Sequence, residues 1–70
     1  MATAVGQSLL TPPERRLLRL LASGWTSAEA ASALGLTPAD TEALLTGLLR
    51  RFGVSSPRRL LVQALVYRWI

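Results

Sequence analysis

Arginine carries almost all the chemistry this chain can offer. Its eight basic side chains are all arginine, set against four carboxylates, with no lysine, histidine or cysteine. Nucleophilic or acid–base catalysis needs a nucleophile beside a suitable base, and no such pair can be assembled from these residues. Glu14, Glu29 and Asp40 each follow a threonine by three positions (Thr11, Thr26 and Thr37), where helix capping explains them. Glu42 is the remaining acid. The chain has neither a ligand cluster spaced for a metal nor a glycine-rich phosphate loop. The sequence therefore predicts no enzyme, no catalytic residue, no metal site and no cofactor. What remains is a set of arginines that could hold phosphates. They give a net charge of +4, compatible with a polyanionic partner and equally with an ordinary solvated surface.

These arginines must be positioned by helices. Seventy residues make one domain with one small core, and half of them are hydrophobic, which excludes disorder. Thr11-Pro12-Pro13-Glu14 is a capping box that opens a first helix, closed by Ser23-Gly24. Leu17, Leu18, Leu20 and Leu21 form its inward stripe and Arg15, Arg16 and Arg19 its wet face. Thr26 with Glu29 starts a second, alanine-rich helix over Ser27 to Leu34, and Gly35 stops it. Thr37 with Pro38 starts a third over Pro38 to Phe52, ending at Gly53. A fourth begins after Ser55-Ser56, with Pro57 near its first position, and is expected to reach the C-terminus. No strand pattern occurs, so the expected fold class is all-α. Trp25 is expected as a core or half-buried anchor.

Two short helices joined by a tight glycine turn are the signature of a helix-turn-helix, whose second helix usually enters the DNA major groove. At 100° per residue, Thr41, Leu45, Leu48, Leu49 and Phe52 fall on the inward side of the third helix. The outward side carries Ala39, Ala43, Thr46, Gly47 and Arg50, with Glu42 and Arg51 on its rims. Base reading favours arginine, lysine, asparagine or glutamine, so this face is poorly equipped for it. Ala39, Ala43 and Gly47, four apart, instead make a ridge of small residues that admits another helix. In the fourth helix, Leu61, Ala64 and Leu65 form one expected inward stripe. Val62, Val66 and Trp69 form a second stripe, expected as a dimer interface, unless Val5, Leu9 and Leu10 cover it.

From Leu10 onward the landmarks resemble a LuxR-type (GerE-like) helix-turn-helix domain. The resemblance rests on Leu10-Thr11-Pro12-Pro13-Glu14 running into a leucine-rich helix closed by Gly24, and on Thr26-Ser27 with Glu29. It continues through Leu34-Gly35-Leu36, Leu48, Arg51 and Gly53-Val54-Ser55-Ser56. It implies a compact four-helix domain over 10–70, preceded by an N-terminal extension over 1–9. It also implies a bacterial transcription regulator whose third helix enters duplex DNA and whose fourth forms a homodimer. The departures fall on the third helix, where the family's usual lysine and histidine are Glu42 and Leu44.

The expected DNA contacts are Thr37, Glu42, Ala43 and Thr46, with Arg50, Arg51, Arg58 and Arg59 against phosphates. The competing reading is a protein-interaction module that keeps the fold, has lost base reading, and modulates another regulator through the 39/43/47 face. The opening Met-Ala-Thr-Ala-Val-Gly-Gln lacks the basic and apolar blocks of a secretory signal. The apolar stretch Leu60 to Ile70, broken by Gln63 and Arg68, is far short of the ~20 residues of a membrane span. A cytoplasmic protein without membrane contact is expected.

Overall fold

A computed structural model of the chain describes residues 10–70. Four helices occur among them and no strand: α1 Pro12–Ala22, α2 Ser27–Leu34, α3 Pro38–Phe52 and α4 Pro57–Val66. The extension over 1–9, and any packing of Val5 and Leu9 on the fourth helix, lie outside the described residues. None of the helices is long and apolar enough to cross a membrane.

Every helix starts on a hydroxyl. Thr11, Thr26, Thr37 and Ser56 each accept a backbone N–H from the residue three positions on, satisfying one of the donors a helix start leaves open. Glu14 and Glu29 complete the boxes by accepting from the N–H of Thr11 (2.9 Å) and Thr26 (2.8 Å).

Every helix also ends in the same way. Trp25, Leu36, Val54 and Trp69 each donate a backbone N–H to the carbonyl five residues back, at 3.1, 2.9, 3.0 and 2.8 Å. The residue before each is left-handed: Gly24, Gly35, Gly53 and, at the last helix, Arg68 with φ 58°. These are Schellman closures, in which the apolar residue after the left-handed one folds back onto its own helix.

That fourth closure corrects two expectations. The C-terminal helix stops at Val66 and does not run to the end. Trp69 is therefore not the third member of an outward stripe: it is only 9 % exposed and belongs to the core. Its ring stacks on Phe52 with centroids 4.4 Å apart, and Tyr67 flanks it at 5.9 Å. The i, i+7 spacing held only while the helix continued.

The core cluster is Leu10, Leu18, Leu45, Leu48, Leu60, Ala64 and Trp69. α1 packs on all three other helices, whereas α2 and α4 make no close approach to each other. Thr41, Leu45 and Leu48 lie inside as their spacing predicts, with Leu49 and Phe52 partly buried. In α4 the inward stripe is turned by one residue from expectation. Leu60 and Ala64 are buried, Leu61 is partly buried, and Leu65 is 57 % exposed. Leu60-Leu61-Val62 are three apolar residues in a row, so periodicity alone does not select the inward one. The return of Trp69 over Ala64 selects it. Trp25 remains 44 % exposed, more open than a core anchor.

Candidate nucleic-acid interface

The α2–turn–α3 unit is built from local chemistry. Gly35 adopts φ 71°, ψ 27°, a left-handed conformation that costs a side-chain-bearing residue roughly 1 kcal/mol or more. Its N–H donates to the Ser32 carbonyl at 3.2 Å, and Leu36 donates to Ala31 at 2.9 Å. The chain thus reverses within two residues, and Thr37 opens α3. The Thr37 hydroxyl accepts from the Asp40 N–H at 3.1 Å. Its own O–H stays available as a donor to a phosphate. One turn in, the fully buried Thr41 donates its hydroxyl to the Thr37 carbonyl at 3.1 Å.

The outward face of α3 lies as the spacing predicts. Thr37, Glu42, Ala43, Thr46, Gly47 and Arg50 are all exposed. Leu44, where the resembled family has histidine, is partly buried and turned from this face. A methyl group added at Gly47 would meet nothing within 4 Å beyond the backbone of its own helical turns, so no packing within the domain requires glycine there. Charge is unevenly spread along the helix: Asp40 lies in the first turn, Arg50 and Arg51 in the last. That order favours the helix dipole and puts the acids at the end leading from the turn.

Arg51 has a partner that spacing did not reveal. Its Nη1 and Nη2 donate to Oε1 and Oε2 of Glu14 at 2.9 and 2.8 Å, a bidentate fork across 37 residues of chain. The Glu14 side chain is 6 % exposed and that of Arg51 47 %. Burial alone pushes the Glu14 carboxyl up, but the bonds from Arg51 and from the Thr11 N–H together hold it below the ordinary carboxylate range. The same pair raises the Arg51 guanidinium. Glu14, read from sequence as a cap alone, is therefore also the clamp between α1 and the end of α3. Arg51, expected against phosphate, gives two of its donors to that clamp.

The remaining cations lie on other elements. Arg58 and Arg59 are exposed in the first turn of α4, which contains no acid. Arg16 and Arg19 are exposed on α1, while Arg15 is partly covered. Val62, Leu65 and Val66 on α4, and Tyr67 at its C-cap, are each more than half exposed. This apolar face keeps Val62 and Val66 of the expected dimer stripe, loses Trp69, and adds two residues that the spacing argument left out.

Among the described residues no group of histidine, cysteine, aspartate or glutamate side chains is gathered in a way that could hold a metal ion. Comparison with protein families, curated proteins and solved structures finds no match to this chain.

Proposed function

We propose that the chain is a bacterial, cytoplasmic transcription regulator of LuxR-like type that binds duplex DNA as a homodimer, with α3 in the major groove. The observation that carries this reading is the Gly35-hinged pair of helices with an outer α3 face that stays exposed. Thr37, Glu42, Ala43 and Thr46 then lie nearest the bases, and Glu42 accepts from cytosine N4. Arg50, Arg58 and Arg59 lie against phosphates. Arg51, forked onto Glu14, is held next to Arg50 in the last turn of α3. The face of Val62, Leu65, Val66 and Tyr67 forms the two-fold contact, since a monomer rarely leaves such a patch in water.

Three arginines on phosphates per protomer give about six contacts per dimer. Affinity then falls roughly a thousandfold between about 50 and 200 mM salt. Fluorescence anisotropy on mixed-sequence duplexes tests this. Binding with that salt slope is the expected result, and no binding at micromolar protein in low salt refutes it.

A second reading is favoured by one specific observation: Glu42 and the small residues Ala39, Ala43 and Gly47 share the exposed face, with open space over Gly47. On that reading the face docks another regulator's helix and the chain has lost base reading. Glu42→Lys combined with Ala43→Arg separates the two. Gain of DNA binding from a native protein that has none selects the interaction module.

A further inference from the structure

Arg16 and Arg19 project from α1 beside a trough that the α3 reading does not use. One lobe, about 240 Å³, is lined by Arg16, Arg19, Leu20, Ala33 and Leu34. A second, about 340 Å³, adjoins it through Arg16 and Leu34 and is completed by Pro12, Pro13 and Leu36. Among the described residues its floor is leucine, alanine and proline, its charged groups are the two arginines, and no carboxylate lines either lobe. The acids nearest in sequence are engaged elsewhere, Glu14 with Arg51 and Glu29 with the Thr26 N–H.

We infer that this α1–α2 groove docks a short acidic amphipathic segment of a protein partner. Its apolar side chains would lie over Leu20, Ala33 and Leu34, and its carboxylates would meet Arg16 and Arg19. An apolar floor with cationic sides is complementary to such a segment as a helix-in-groove contact. Duplex DNA offers charge to the arginines but no continuous apolar face for the floor. The groove shares no residue with α3, so the inference stands apart from the DNA-binding proposal and survives or fails separately from it.

The test uses the full chain and a fluorescein-labelled designed peptide of about 14 residues, leucine on one helical face and glutamate on the others. Saturable binding below about 100 µM is expected, with amide shifts confined to α1 and residues 33–36. Arg16→Glu with Arg19→Glu should weaken it by about tenfold or more, since like charges then meet. A lysine-for-glutamate peptide should bind that doubly substituted chain instead, which shows it still folded. Ala33→Glu, adding bulk and charge to the groove, should also abolish binding of the acidic peptide. No saturation by about 1 mM, tenfold above the expected Kd, overturns the inference. Equal binding of a scrambled peptide overturns it too, as does displacement of the peptide by a short duplex.

Discussion

Removing Arg51 should damage the fold more than it damages any contact with a polyanion. Arg51→Ala deletes two charge-assisted bonds, at 2.9 and 2.8 Å, to a Glu14 side chain that is 6 % exposed with Arg51 in place, and among the described residues leaves its carboxylate the Thr11 N–H. Truncating one partner of a fully buried pair costs roughly 3–5 kcal/mol. Arg51 is 47 % exposed, so solvent screens it and water can reach the vacated carboxylate, which lowers the expected cost to about 2 kcal/mol. For a domain of this size that is a fall in Tm of about 10 °C.

The pH dependence carries a sign. Glu14 has a lowered folded pKa, so its contribution is complete above the unfolded carboxylate value of about 4.3 and is lost as pH falls through the lower folded value. In the alanine variant burial acts on Glu14 with less opposition, and its pKa moves up. The stability gap between native and variant should therefore shrink between neutral pH, where it is about 2 kcal/mol, and an acid pH below the folded value of Glu14. Urea unfolding of the native chain, Arg51→Ala, Glu14→Gln and the double variant at both pH values gives the coupling energy directly. A variant within about 0.5 kcal/mol of native at neutral pH, or a coupling that does not change with acid, refutes the clamp.

Other consequences follow from the same geometry. Arg68→Gly should raise stability by about 1 kcal/mol, because glycine carries no penalty at the left-handed residue that turns Trp69 inward; an unchanged or lower Tm contradicts that closure. Gly47→Ala should stabilise the free protein by about 1 kcal/mol, as nothing beyond the backbone of its own helical turns lies within 4 Å of the new methyl group. If it also costs DNA affinity, the outer face of α3 touches the duplex closely at that point. Leu65→Glu with Val66→Glu should keep the helical circular dichroism while light scattering shows the dimer lost; a dimer that persists puts the two-fold contact elsewhere.

Much of this architecture was legible because it is written locally. Thr-x-x-Glu at Thr11 and Thr26, Thr37-Pro38, and glycines at 24, 35 and 53 each fix a helix end through bonds to atoms at most five residues away. Helical periodicity then sorted α3 correctly into buried Thr41, Leu45 and Leu48 and exposed Ala43 and Thr46. What escaped depends on tertiary structure or on an unusual residue. Arg68 occupies a conformation that sequence associates with glycine, so the end of α4 carried no stop signal and Trp69 was carried outward. The run Leu60-Leu61-Val62 gave no phase. The Glu14–Arg51 fork joins residues 37 apart, and Glu14 already had a sufficient local explanation as a cap. The groove beside Arg16 and Arg19 exists only once α1 and α2 are packed together.

The most direct test of the central claim, that the Gly35 hinge presents α3 as a DNA-reading surface, is an amide-shift titration of the full chain with a mixed-sequence duplex at low salt. Shifts gathered on Thr37, Glu42, Ala43, Thr46 and Arg50, joined by Arg58 and Arg59, are the expected result. Shifts that leave α3 untouched, or a spectrum the duplex does not alter, would contradict it.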